Sequence, residues 1–171
     1  YFEGIKLCVV KRYTIGKVEI KMNNPLISVV TVSYNAVTTI EKTILSVINQ
    51  NYSNIEYIVI DGGSIDGTVD IIKKYADKIT YWVSEPDKGI YDAMNKGIIV
   101  ATGEWINFMN TGDTFYNENV FSEIFELNSY TEDVISGCAQ LANHKIWKPL
   151  DSKKMTLMDF YIPGLCHQAT F

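Results

Sequence analysis

From Leu26 onward, apolar and polar positions change in blocks. Leu26-Ile27-Ser28-Val29-Val30-Thr31-Val32 is rich in β-branched residues and almost continuously apolar, the pattern of a strand covered on both faces. The polar Ser33-Tyr34-Asn35 interrupts it. Thr38 and Glu41 stand at capping-box spacing, and Ile40, Ile44, Val47 and Ile48 then recur on one helical face. Ile55 to Ile60 predicts a second strand that ends in Asp61-Gly62-Gly63-Ser64-Ile65-Asp66-Gly67. There Ser64 or Asp66 can cap a helix that buries Val69, Ile72 and Ala76. Ile79 to Val83 predicts a third strand, closed by Ser84-Glu85-Pro86-Asp87-Lys88-Gly89. Ile90, Ala93, Met94, Gly97, Ile98 and Ala101 follow at spacings of three and four, again helical. A fourth strand from Trp105 runs into Asn110-Thr111-Gly112-Asp113, followed by a helix through Phe121 and Phe125 and a strand at Val134-Ile135. Strands separated by amphipathic helices predict an α/β fold with a parallel sheet and right-handed crossovers.

Composition narrows the function. The 171 residues, 47% of them hydrophobic, suffice for one substantial core, and a charged fraction of 20% argues against disorder. The net charge is −5 and Arg12 is the single arginine, which argues against a nucleic-acid partner. Any phosphate ligand must then rely on metal, lysine and backbone amides. Cys8, Cys138 and Cys166 are odd in number, widely spaced and without zinc-site spacing, as expected of reduced cytoplasmic thiols. The apolar runs fall short of the roughly 20 residues that cross a bilayer, and no signal peptide is expected. Residues 1–21 hold five of the 15 basic groups and two of the 20 acidic ones, a local +3 against −8 for the rest. With Met22 reading as a natural start, residues 1–21 are expected to be a non-native or extra segment ahead of a domain at 22–171. The other reading is a hairpin about Thr14-Ile15-Gly16-Lys17, with arms at Leu7–Val10 and Val18–Ile20.

In a parallel sheet the ends of the first, second and fourth strands share one rim, and ligands lie in the crevice outside it. Ser33/Tyr34/Asn35, Asp61/Gly62/Gly63/Ser64 and Thr111/Gly112/Asp113 are therefore expected to converge. The glycines allow close approach of the backbone. Asp61 can accept from an imide or a ribose hydroxyl, and Tyr34 can stack on a base. Asp113, with oxygen-bearing Asn110 and Thr111 beside it, suits a hard cation carrying a diphosphate. Alone, such a strand-end aspartate would read as a turn or helix cap. Phosphate loops of the G-x-x-x-x-G-K-[ST] and G-x-G-x-x-G kinds do not fit.

Ile27-Ser28-Val29-Val30-Thr31-Val32-Ser33-Tyr34-Asn35, Asp61-Gly62-Gly63-Ser64-Ile65-Asp66-Gly67-Thr68 and Asn110-Thr111-Gly112-Asp113 together resemble the family 2 glycosyltransferases. These are inverting, nucleotide-sugar-dependent enzymes of the GT-A fold. Glu85 to Gly97, and later His167-Gln168-Ala169-Thr170-Phe171, resemble a bacterial branch that builds surface polysaccharide. The resemblance runs from Leu26 to the last residue. It implies a Rossmann-like, mostly parallel sheet in three α/β/α layers. It also implies a nucleotide-sugar donor, UDP foremost, and a glycan or lipid-linked acceptor. The chain would work in the cytoplasm, with peripheral contact at the inner membrane face left open. Val32, Ser33, Tyr34 and Asp61 would hold the nucleobase, with Asn35, Gly62 and Ser64 also binding the donor. Asp87, Lys88, Gly89 and Asn95 would line the donor pocket, with Asp92 near sugar or ribose. Thr111 and Gly112 would lie against the donor, His167 at the diphosphate or acceptor, and Asp113 would ligate Mg²⁺ or Mn²⁺.

Two departures from the family pattern bear on chemistry. Thr111-Gly112-Asp113 stands where the family has Asp-x-Asp, so one carboxylate is replaced by a hydroxyl. The family's general base lies beyond its His-Gln segment, so it is expected beyond Phe171 and no base is assigned. Loss of that region would leave a nucleotide-sugar-binding module without transfer, which stands as the alternative to an enzyme. An NAD-dependent oxidoreductase is disfavoured by the placement of the glycines. His144 reads as a loop residue, Trp105 as core, Trp147 as core or a sugar platform, and Asp151, Lys153 and Lys154 as a solvated face.

Overall fold

A computed structural model of the chain describes residues 2–5, 8–11, 24–126, 134–136, 139–141 and 145–147. Its elements in chain order are β1 (Phe2–Ile5), β2 (Cys8–Lys11), β3 (Ile27–Ser33), α1 (Ile40–Ile48), β4 (Ile55–Asp61), α2 (Thr68–Lys74), a 3-10 turn (Ala76–Lys78) and β5 (Tyr81–Ser84). Then come α3 (Ile90–Val100), β6 (Trp105–Phe108), α4 (Val120–Phe125), β7 (Val134–Ser136), β8 (Ala139–Leu141) and β9 (Ile146–Trp147).

The main sheet has the order β5-β4-β3-β6-β2-β7. β5, β4, β3 and β6 run parallel, and β2 is antiparallel to both of its neighbours. The fold is the α/β sheet expected, with an antiparallel edge added. β1, β8 and β9 form a separate antiparallel sheet. β3 is buried along its whole length because helices cover both faces. On one face Val29, Tyr57, Val59 and Trp105 pack with Ile40, Ile44 and Val47 of α1, Ile72 of α2 and Phe121 and Phe125 of α4. On the other, Val30, Val32, Ile58, Ile60, Ile106 and Phe108 pack with Ala93 and Met94 of α3. Among the described residues no helix is long and apolar enough to cross a membrane.

Several elements depart from expectation. Cys8–Lys11 lies between β6 and β7, and Val18–Ile20, the second arm of the alternative hairpin, falls outside the described residues. The Thr38/Glu41 capping box does not form. α1 begins after Thr39 with no side-chain cap, and Glu41 instead takes Lys74 Nζ and Tyr75 Oη, each at 2.7 Å. A charged partner on α2 outcompetes a backbone amide for that carboxylate. The third strand starts at Tyr81, because residues 76–78 first make a 3-10 turn. On α3, Ala93, Met94 and Gly97 are buried, whereas Ile90 and Ile98 are exposed. Small residues face the sheet because the helix lies so close to it. A methyl built on Gly97 would sit 2.4 Å from Val30 Cγ1.

At the N-terminal edge of the sheet, a network absent from the sequence reading ties the turn between α3 and β6 to β3 and β4. The Glu56 carboxylate accepts from Ser28 Oγ, Thr102 N–H and Thr102 Oγ1, while Ser28 Oγ takes the Gly103 N–H.

Candidate functional site

The strand order reverses between β3 and β6, the switch point at which open α/β sheets bind ligands. A cleft of about 650 Å³ opens there, lined by Val32, Ser33, Tyr34, Gly62, Asp87, Gly89 and Thr111 among the residues expected from sequence. Gly63 and Asn110, noted in the strand-end loops, also line it, and Ala36, Pro86, Ile90 and Ala93 complete the lining without having been assigned to the site beforehand. Gly63 and Pro86 sit within the motifs already noted. Ile90 and Ala93 had been read only as helical packing positions, yet the first turn of α3 forms one wall.

Two loops build the other wall and are joined side by side. Asn35 N–H donates to Ser64 Oγ at 2.8 Å, and Ile65 N–H donates to Asn35 Oδ1 at 3.1 Å. Ala36 N–H donates to Thr68 Oγ1 at 2.8 Å, and Val37 N–H to Asp66 Oδ2 at 3.0 Å. Asn35 holds a left-handed φ of 45° to make this register, a conformation asparagine tolerates better than most side chains. Asp66 also takes the Thr68 N–H and hydroxyl, so it serves the start of α2 as well.

Asp61 lies beneath these loops and is fully buried. Its carboxylate accepts Ser33 Oγ, Ser64 Oγ, Ser84 Oγ and the N–H groups of Gly63 and Ser64, at 2.6–3.1 Å. Burial alone would raise its pKa. The hydrogen bonds from Ser64, Ser84 and Ser33 outweigh burial and hold it below the ordinary aspartate value. Asp61 therefore fastens the ends of β3, β4 and β5 together, and it does not line the cleft.

Across the cleft, Asp87 Oδ1 accepts the Gly89 N–H at 2.7 Å, and Asp92 Oδ2 accepts the Lys88 N–H at 3.1 Å. Asp92 thus ties the first turn of α3 back to the loop that precedes it. Lys96, which sequence reasoning missed, pairs with Glu85 at 2.7 Å and reaches the Pro86 carbonyl at 3.2 Å, fixing the same loop. Its signal was its place within the Glu85–Gly97 segment. Lys88 and Asn95 are exposed on α3 or just before it, outside the lining. His167 lies outside the described residues, as does His144. Trp105 is core, as expected.

The turn after β6 is held from two sides. Thr111 Oγ1 donates to the Val32 carbonyl at 2.7 Å, so the hydroxyl standing in for a carboxylate is engaged with backbone. Gly112 adopts a φ of 102°, a left-handed value that favours glycine. Asp113 is 4% exposed, and burial pushes its carboxyl up to about 7. Asn110 Oδ1, on the cleft wall, is buried with no hydrogen-bond partner among the described residues. Those residues contain no cluster of three His, Cys, Asp or Glu side chains able to hold a metal unaided. The donor set here, one carboxylate with a nearby amide oxygen, fits a cation that completes its shell with ligand phosphate and water.

Comparison with known proteins agrees with this geometry. An uncharacterised glycosyltransferase of Mycobacterium tuberculosis is 42% identical over 103 residues, covering 60% of this chain and 39% of the relative. A glycosyltransferase of PGL/p-HBAD biosynthesis from Mycobacterium bovis is 26% identical over 157 residues, covering 88% of this chain and 60% of the relative. Among solved structures, S. aureus TarS 1-349 in complex with UDP superposes with a TM-score of 0.53 at 26% identity, over 57% of this chain and 30% of that one. The chain thus spans about 39–60% of the length of these curated relatives. The profile of Glycosyl transferase family 2 matches residues 28–162, most of the chain, and the protein belongs to that family.

Proposed function

We propose that the chain carries the donor-binding face of an inverting glycosyltransferase. It would move a sugar from a nucleoside diphosphate, uridine diphosphate foremost, to a glycan or lipid-linked acceptor of surface polysaccharide at the cytoplasmic side of the membrane. The observation that carries this reading is the cleft at the β3/β6 switch point, walled by Tyr34 and Gly62 on one side and Asp87, Gly89 and Ile90 on the other. TarS, a structural relative, was crystallised with UDP, which supports uridine as the first nucleotide to try.

In this reading Tyr34 stacks on the base and Val32 and Ser33 bound its edge. Asp61 keeps the three strand ends in register beneath it. Gly63 brings backbone close to the ribose and diphosphate. Lys88 supplies a point charge to phosphate or a sugar hydroxyl. Asp113, with Asn110 beside it, would hold Mg²⁺ or Mn²⁺, whose chemistry is to neutralise charge on the departing diphosphate. The acceptor hydroxyl attacks the anomeric carbon as the bond to the diphosphate oxygen breaks, and a general base takes the hydroxyl proton. Ile90 and Ala93 give the cleft an apolar wall at the start of α3.

The test is a thermal-shift screen of UDP, GDP, CDP and NADH with and without Mn²⁺, followed by assay of UDP released from UDP-sugars. Stabilisation by UDP that grows with Mn²⁺ supports the reading, since binding to the native state raises stability with ligand concentration. Saturable NADH binding with no response to UDP overturns it. Binding of UDP-sugar without turnover leaves a nucleotide-sugar-binding module in place of an enzyme.

A further inference from the structure

Two aspartates approach the corner where Tyr34 stands, and their surroundings differ. Asp61 is saturated: five donors meet a carboxylate that offers about four lone-pair sites. A further donor from a ligand would have to displace a serine or a loop amide, and Asp61 does not reach the cleft surface. Asp87 does line the cleft. Its Oδ1 is engaged by the Gly89 N–H, which turns the carboxylate toward Gly62. A methyl built on Gly62 would lie 2.6 Å from Asp87 Oδ2, 3.2 Å from Asp87 Cγ and 3.3 Å from Tyr34 Cδ2. Gly62 does not adopt a positive φ, unlike Gly63 beside it. What its missing side chain provides is room, and a carboxylate from another loop occupies that room beside the tyrosine ring.

We infer that Asp87, not Asp61, is the acceptor that reads the donor's nucleobase, and that Gly62 is the gap that admits it. The inference rests on the nucleotide-sugar reading above and assigns base choice to one oxygen, Asp87 Oδ2. A uracil stacked on Tyr34 offers its N3–H to that oxygen. A cytosine in the same place turns the N3 lone pair toward it, so an acceptor faces a carboxylate and no hydrogen bond forms. A buried polar group left without its partner is what separates two ligands of nearly equal shape.

The test measures UDP and CDP affinity in Mn²⁺ by titration for the unaltered chain and for Asp87→Asn, Gly62→Ala and Asp61→Asn, with melting curves for each. The unaltered chain should prefer UDP by about tenfold or more, the worth of one charge-assisted hydrogen bond. Asp87→Asn, whose amide can donate to cytosine N3, should cut that preference by about tenfold. Gly62→Ala keeps the carboxylate but pushes it aside, and should move the ratio the same way. Asp61→Asn should lower the melting temperature and weaken both nucleotides equally, leaving the ratio alone. A ratio that collapses in Asp61→Asn and holds in Asp87→Asn overturns the inference while the nucleotide reading stands. An unaltered chain that binds neither nucleotide overturns both. Should Asp61→Asn fail to fold, Asp87→Asn and Gly62→Ala decide the matter between them.

Discussion

Thr43 on α1 holds the backbone of Asp113 through a single oxygen. Its hydroxyl donates to the Asp113 carbonyl at 2.9 Å and accepts the Gly112 N–H at 2.9 Å, wholly buried beneath the turn. The side chain that sets the backbone of the proposed metal ligand thus comes from a residue 70 positions earlier.

Thr43→Val keeps the volume and removes both bonds. It should cost about 1–3 kcal/mol of stability, the penalty for leaving a buried donor and acceptor unmatched. Urea unfolding measures that. The variant should also weaken Mn²⁺-dependent UDP binding although Asp113 itself is intact; affinity equal to that of the unaltered chain would show that the turn needs no such anchor.

Asp113→Asn tests the ligand directly. UDP should lose its dependence on Mn²⁺ while the circular dichroism spectrum and melting temperature change little. If UDP affinity in Mn²⁺ survives, Asp113 is not the metal ligand.

Gly97→Ala concerns the scaffold. The added methyl meets Val30 Cγ1 at 2.4 Å in a fully packed layer, so α3 must move away from β3. Overpacking of this kind costs about 1–3 kcal/mol. Because the first turn of α3 walls the cleft, UDP affinity should fall with it, and unfolding and titration data on one sample would reveal whether the two losses travel together.

Acid should unlock the sheet from both ends. Burial pushes Glu56 and Asp61 upward, but hydrogen bonds from Ser28 and Thr102 to the first, and from Ser64 and Ser84 to the second, bring both below their ordinary values. A carboxylate whose folded pKa is depressed stabilises the fold above its unfolded pKa, and that contribution disappears as pH falls through the folded value. The contribution of these two carboxylates should therefore hold from pH 7 to about 5 and decline below the ordinary carboxylate range near 4. Asp113, raised by burial to about 7, works the other way and adds stability as it protonates below neutrality. Glu56→Gln should be less stable at pH 7 and show a shallower decline. Parallel curves for the two proteins in urea at pH 3 to 7 would remove Glu56 from the explanation.

The parallel sheet was legible because β3 and β4 are nearly unbroken apolar runs, and α1 because its isoleucines and valines keep helical spacing. The three loops of the cleft were legible from their position at strand ends. What the sequence hides is pairing across distance. Asp61 looks like a free acceptor until Ser33 and Ser84, 28 and 23 residues away, are seen to consume it. The contact of Gly62 with Asp87 joins two loops that no local pattern connects. Cys8–Lys11 carries little signal by itself, because its partners are Trp105–Ile106 and Val134–Ser136. Ile90 and Ile98 fit a buried stripe by spacing alone, but the pitch of a helix does not say how broad the face is that a neighbour covers.

The cross-loop bonds of Asn35, Ala36, Val37 and Ile65 have one more consequence. A glycine-rich lip would ordinarily writhe and be quieted only when something settled into it, and that quieting would weigh against affinity. Here four latches hold the lip still beforehand, so an arriving guest meets a socket already cast, and the freedom it must surrender is mostly its own.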